Sequence, residues 1–169
     1  MPSENMLIRN IETDDAERLL SLLKTLDQET QFMLYEPSER TTTVEEMKAK
    51  ITAVKKSSAL YLVVEEGSEL VGFISAERGF ANRIKHRAYI VVGILERYIG
   101  LGIGTKLFEA LEGWARQESI RRLELTVMAH NARAIKLYKK FGFRIEGVKE
   151  SSIRINGAYI DEFYMAKIL

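Results

Sequence analysis

The segment YIVVGIL (89–95) runs directly into ERYIGLGIGTKLFEAL (96–111), and this junction limits the fold more than any other part of the chain. The first segment is apolar and largely β-branched, as expected of a strand buried on both faces. Past the glycines at 100, 102 and 104, Leu107, Phe108, Leu111, Trp114 and Ala115 line one helical face. A doubly buried strand feeding a helix places the chain among the α/β folds.

The remaining periodicities extend this unit in both directions. MLIRNI (6–11) reads as a short strand, and Asp14 with Glu17 as the start of a helix carrying Leu19, Leu22, Leu23 and Leu26. A polar and aromatic connection with Pro37 follows, and Thr43 with Glu46 caps a second helix through Val44, Met47, Ile51 and Val54. LYLVVEE and LVGFISAE flank Gly67-Ser68 as a hairpin, and LELTVM (123–128) alternates as a strand should. Ala134, Leu137, Tyr138 and Phe141 keep a helical beat that Gly142 closes. FRIEGVKE and SSIRIN read as two more strands, and Asn156-Gly157 as the hairpin turn into AYIDEFYMAKIL. The predicted order is β-α-α-β-β-β-α-β-α-β-β, a mixed sheet in a single domain over residues 1–169.

Composition excludes several function classes. The 169 residues are 46% hydrophobic and 29% charged, as in an ordinary globular protein. No apolar run approaches the ~18 residues of a membrane span, and MPSENMLIRN lacks a signal-peptide pattern, so a cytoplasmic location is expected. There is no cysteine, and His86 and His130 stand far apart, so no metal site is expected. Residues 1–50 hold eleven Asp/Glu against six Lys/Arg, whereas the whole chain is at +1. That asymmetry suits an anionic cofactor in the C-terminal part and a cationic substrate near the N-terminal part, and it equally suits solvated surface charge. No basic stripe of the kind that binds nucleic acid is present.

Glycines at a strand-to-helix junction permit positive φ and leave the amides of the helix's first turn open to an anion. They also allow a helix to pack tightly on a strand. The glycines alone do not choose between the two. Neither a P-loop nor a dinucleotide fingerprint fits: Gly104 is followed by Thr105 and then Lys106, and the spacing is G-x-G-x-G.

Arg97-x-x-Gly100-x-Gly102 resembles the acyl-CoA pyrophosphate loop of the GNAT N-acetyltransferase superfamily. NARAIKLYKKFGF (131–143) is similar to the superfamily's second segment, N-x-x-A-x-x-x-Y-x-x-x-G-F, at the usual separation. The predicted element order is also that family's. The tail GVKESSIRINGAYIDEFYMAKIL resembles that of ribosomal-protein and spermidine acetyltransferases, with an N-G-x-Y hairpin before the last strand.

The resemblance implies two central parallel strands that splay apart, with the pantetheine arm of acetyl-CoA in the gap. Val92, Gly93 and Ile94 would pair with that arm. The backbone of Arg97, Gly100, Leu101, Gly102, Ile103, Gly104 and Thr105 would hold the pyrophosphate. Asn131 corresponds to an asparagine that touches the cofactor arm, and the same residue can act as the N-cap of its helix. Tyr138 corresponds to the acid that protonates the departing CoA thiolate. No general base is assigned; Tyr89, Glu77 and Glu124 are the polar strand residues available. Glu29, Phe32, Tyr35, Glu36 and Tyr89, with the strand around Tyr159 and Asp161, form the expected acceptor side. The implied reaction is direct acetyl transfer to a primary amine, a small cationic amine ahead of a peptide N-terminus. The alternative is a non-catalytic acyl-CoA sensor on the same fold. Many relatives are homodimers, but nothing in this sequence demonstrates a dimer.

Overall fold

The structure, a computed structural model, describes residues 5–169. Residues 1–4, part of the stretch read for a signal peptide, lie outside the described residues. The elements are β1 (Met6–Asn10), α1 (Ala16–Glu29), α2 (Val44–Lys56), β2 (Leu60–Glu66), β3 (Glu69–Arg78), β4 (Arg87–Ile94), α3 (Ile103–Gln117), β5 (Arg122–Met128), α4 (Ala132–Lys140), β6 (Arg144–Ile155) and β7 (Ala158–Ile168). This is the predicted order. The strands form one seven-stranded sheet in the order β1-β2-β3-β4-β5-β7-β6.

Two neighbours in β4 show how the layers are arranged. A Cβ added to Gly93 would stand 2.8 Å from Phe73 and 2.9 Å from Leu26 of α1. A Cβ on Gly104 of α3 would stand 3.7 Å from the tip of Ile94. Successive strand residues point to opposite faces, so α1 and α3 cover opposite sides of the sheet. Helix α2 packs beside α1. Helix α4 joins α3 through Phe108, whose ring meets those of Tyr138 and Phe141 at 5.6 and 5.3 Å. The helical periodicities account for the core: Leu19, Leu22, Leu23 and Leu26 of α1 are buried, as are Leu107, Phe108, Leu111 and Ala115 of α3.

β4 and β5 are parallel, but their pairing covers only Arg87↔Arg122, Ala88↔Leu123 and Tyr89↔Glu124. Beyond these pairs the strands separate, leaving residues 90–94 and 125–128 on the two sides of a gap. β7 continues to pair with β5 along its whole length, so the gap lies inside the sheet.

Three local expectations are corrected. β4 is not buried on both faces: Ala88 and Ile90 are buried, whereas Tyr89 and Val91 are each 42% exposed. They share the face of Gly93. The first helix does not start from an Asp14–Glu17 box. Instead a 3-10 turn spans Thr13–Asp15, and the Asp15 carboxylate accepts from Glu12 N–H at 2.7 Å. FRIEGVKE and SSIRIN belong to one strand, β6, whose register shifts between Lys149 and Ile153. Within that irregularity Ser151 has φ 51° and donates its N–H to Asp161 Oδ1 at 2.8 Å.

Candidate active site

The loop after β4 presents a row of free backbone amides. Among the described residues no hydrogen bond is made by the N–H groups of residues 100 to 105. Gly100 and Gly102 have φ of 82° and 84°, which allows consecutive amides to converge on one side. A Cβ on either would meet nothing within 4 Å. These two glycines are therefore required by backbone conformation, and the space before them is open. Gly104 differs: a Cβ there would stand 2.9 Å from Leu137, so this glycine lets α3 approach α4. Backbone conformation and close packing are thus the requirements of different glycines. Convergent amides at a helix N-terminus favour an anion by roughly 0.3–1 kcal/mol.

The loop's other members are fixed around this cradle. Ile103 is buried in the core and anchors the turn from below, and Leu101 is half-buried. Thr105 Oγ1 accepts from Lys140 Nζ at 3.3 Å, which ties the first turn of α3 to the end of α4. Arg97 is exposed, pairs with Glu69 of the β2–β3 hairpin at 2.5 Å, and lies over the Tyr98 ring. Glu29 Oε1 accepts from Glu96 N–H at 2.7 Å, so this expected substrate residue secures the start of the loop.

Backbone groups also face the gap between β4 and β5. Leu95 N–H donates to Val71 O and Gly79 N–H to Arg87 O, which makes the odd residues of β4 the hydrogen-bonded partners of β3. The peptide groups of Val92 and Ile94 therefore point toward β5, where no strand pairs with them. Gly93 is paired with Phe73 and serves instead to admit Leu26 of α1.

Two tyrosines lie on opposite faces of the sheet. Tyr138 comes from α4 with its ring buried, 7% exposed. Ser152 Oγ is the single sealed side-chain oxygen or nitrogen without a partner among the described residues. The Tyr138 hydroxyl makes no hydrogen bond either, so it must reach accessible space. Burial pushes its pKa well above the ordinary phenol value, and the Tyr89 phenol raises it further. Tyr89 comes from β4 on the α1 face, and its hydroxyl bonds Thr126 Oγ1 of β5 at 2.8 Å.

The remaining candidates are spread along the α1 face. Glu77 and Glu124 are the register neighbours of Tyr89 on either side. Glu124 is held by Arg122 at 2.7 Å and Arg87 at 3.7 Å. The α1–α2 connection brings Phe32 against His130, with ring centroids 5.0 Å apart, and places Tyr35 under Arg40. Glu36 is exposed and stabilises its own turn, donating its N–H to Glu39. Tyr159 is exposed near the hairpin tip, and Asp161 is engaged by Ser151. Asn131 Oδ1 accepts from Ala134 N–H at 3.3 Å, so the N-cap is made, and its amide NH₂ has no partner among the described residues. Thr126 and His130 were not singled out as site residues from the sequence. The signal for Thr126 is strand alternation past Glu124, usable only once the register to Tyr89 is known.

Among the described residues no group of His, Asp and Glu could hold a metal ion, and no helix is long and apolar enough to cross a membrane.

The Acetyltransferase (GNAT) family matches residues 20–143. The L-amino acid N-acetyltransferase AaaT of Escherichia coli (strain K12) is 35% identical over 104 residues, 59% of this chain and 62% of that protein. The match thus spans less than two thirds of that relative's length. The spermidine N(1)-acetyltransferase of Escherichia coli (strain K12) is 28% identical over 164 residues, 94% of this chain and 84% of that protein. Among solved structures, a GNAT-family acetyltransferase from Streptococcus pneumoniae superposes with a TM-score of 0.92 at 31% identity, covering 97% of this chain and 99% of that one. An acetyltransferase from Salmonella typhimurium, solved with its cofactor acetyl-CoA, shares the fold with a TM-score of 0.86 at 20% identity, over 98% and 95% of the two chains. With the family pattern spanning most of the sequence and the splayed sheet in place, this chain belongs to the GNAT acetyltransferase family.

Proposed function

We propose that the chain is an N-acetyltransferase that carries an acetyl group from acetyl-CoA to a primary amine in a ternary complex. The observation that carries this reading is the run of unpaired amides from Gly100 to Thr105, opening onto a gap between parallel strands. Open glycines, free amides and unpaired strand edges are what a pyrophosphate joined to an amide-bearing arm requires. Acetyl-CoA supplies an acetyl group already activated as a thioester.

The residues of this chain then hold, orient and protonate. The amides of residues 100–105 hold the pyrophosphate, and Arg97, released from Glu69, adds charge. Val92 and Ile94 pair with the pantetheine amides. Asn131, its carbonyl spent on the cap, offers its NH₂ to the same arm. The Tyr138 hydroxyl, kept protonated by burial, gives its proton to the thiolate as the C–S bond breaks and the C–N bond forms, and the proton shed by the amine nitrogen restores the phenol. The amine approaches from the α1 face, between Tyr89, Phe32 and His130.

Two carboxylates expected on the acceptor side are already engaged, Glu29 by Glu96 N–H and Asp161 by Ser151 N–H. This moves the preference from a polyamine to an acceptor with a single amine, an amino acid or a peptide N-terminus. The test is acetyl-CoA-dependent thiol release with spermidine, L-amino acids and short peptides. Release driven by one class, and lost in Tyr138→Phe, supports the reading. Acetyl-CoA binding without release by any of them favours a sensor and overturns it.

A further inference from the structure

We propose that the Tyr89–Thr126 hydrogen bond is a crossbar that closes the vertex of the β4–β5 gap and limits the transferred group to acetyl. The inference rests on the gap being the acyl-CoA site.

The strand pairing ends at Tyr89↔Glu124, yet Thr126, two residues further along β5, is still joined to β4 through the Tyr89 hydroxyl at 2.8 Å. Among the described residues no hydrogen bond links 90–94 to 125–128. The gap is therefore open at the glycine loop and barred at Tyr89. From Ile94 to Tyr89 the strand covers roughly 17 Å at ~3.3 Å per residue, a run comparable to an extended pantetheine arm. An arm entering at the loop ends beside the crossbar, with its acyl group as the leading end. Tyr138 supports this placement. It lies on the α4 side of the sheet, and the Tyr89 phenol acts on it electrostatically. A sulfur within reach of Tyr138 leaves the acyl group between the two tyrosines.

The chemistry of the crossbar suits a size limit. One hydroxyl donates its proton to the other, so a single bond holds both side chains in place. Tyr89 cannot swing aside without losing its bond to Thr126, and the strand fixes its backbone through Glu77 and Glu124. A methyl group fits before such a bar; each added methylene must displace it.

Calorimetric titration with free CoA, acetyl-CoA and butyryl-CoA tests this without any acceptor. The wild-type protein should bind acetyl-CoA at least about 10-fold more tightly than butyryl-CoA, since a methylene in a fitted pocket is worth ~10–200-fold. In Thr126→Ala and Tyr89→Ala the ratio should fall to within about threefold, with the affinity for free CoA retained. Tyr89→Phe, which keeps the ring and loses the bond, should lie between. If Tyr89→Ala fails to fold, Thr126→Ala decides. Equal wild-type affinities, or a ratio unchanged in Thr126→Ala, overturn the crossbar while leaving the acyl-CoA reading intact. Absence of free CoA binding overturns both.

Discussion

Arg40 grips Asp27 with two hydrogen bonds, Nε to Oδ2 at 2.8 Å and Nη2 to Oδ1 at 3.0 Å, where the carboxylate is 1% exposed. Asp27 lies in the last turns of α1, and Arg40 lies at the far end of the α1–α2 connection, with its guanidinium over the Tyr35 ring at 4.7 Å. The pair thus fixes the segment that sets Phe32 against His130. Removing one partner strands the other charge in the interior. Arg40→Ala should therefore cost about 3–5 kcal/mol in urea unfolding, and Asp27→Leu with Arg40→Met should recover most of it. The double variant should still raise the KM for amine more than the KM for acetyl-CoA, because the loop has lost its anchor. A loss under 1 kcal/mol in Arg40→Ala would show the pair to be dispensable.

Tyr138 offers a cleaner separation of packing from chemistry. Its ring meets Phe108 and Phe143 at 5.6 and 6.1 Å, while its hydroxyl has no protein partner among the described residues. Tyr138→Phe keeps the ring contacts, so the melting temperature should hold while kcat falls ~10²–10⁴-fold. The raised pKa fixes the sign of the pH effects. The folded state binds this proton more tightly than the unfolded chain does, so the stabilisation is complete below the ordinary value near 10 and declines as pH climbs toward the folded value. The acid should also stay protonated through pH 10, so the alkaline limb of kcat should lie above that point. A limb at pH 8 that disappears in Tyr138→Phe would contradict the raised value.

The sequence was informative about elements and much less so about what faces what. Leucine spacing in α1 and α3, the Thr43–Glu46 cap and the Asn156-Gly157 turn are local, and each appears where the pattern puts it. β4 failed because an apolar run looks the same whether or not a helix covers it, and Tyr89 and Val91 are left exposed. Glu29 was legible as an acid near the site, but its engagement by Glu96 N–H joins positions far apart in the chain. Thr126 gained its place only from the register that brings β5 beside β4.

The three glycines should respond differently to alanine. At Gly102, φ of 84° costs an L residue ~1–2 kcal/mol, and the added methyl stands in the open mouth of the amide row. Gly102→Ala should lower both stability and CoA affinity, and Gly100→Ala should follow it. Gly104 is helical, so alanine gains up to about 1 kcal/mol of helix propensity against a contact of 2.9 Å with the tip of Leu137. Gly104→Ala should leave the melting temperature nearly unchanged while kcat falls, because Leu137 adjoins Tyr138 on α4. Comparable destabilisation at all three positions would remove the distinction between conformational and packing glycines.

Acid stability depends on a different cluster, far from the gap in sequence. Asp15 is buried and accepts from Arg9 at 2.8 Å and from Arg18 at 2.7 Å, and Glu65 accepts from the same two arginines. The Arg9 guanidinium is the main cause that holds the Asp15 carboxyl well below its ordinary 3.8, against the cost of burial. A depressed folded value means that the stabilisation is present above the unfolded value and lost as pH falls through it toward the folded one. Stability should therefore decline steeply from about pH 4 downward. In Asp15→Asn the protein should be weaker at neutral pH and its curve flatter below pH 4, since the titrating group has gone. Glu65→Gln should flatten it less, because that carboxylate is more exposed. Urea midpoints measured from pH 7 to pH 2 separate these outcomes. Parallel curves for wild type and Asp15→Asn would assign the acid sensitivity to another group.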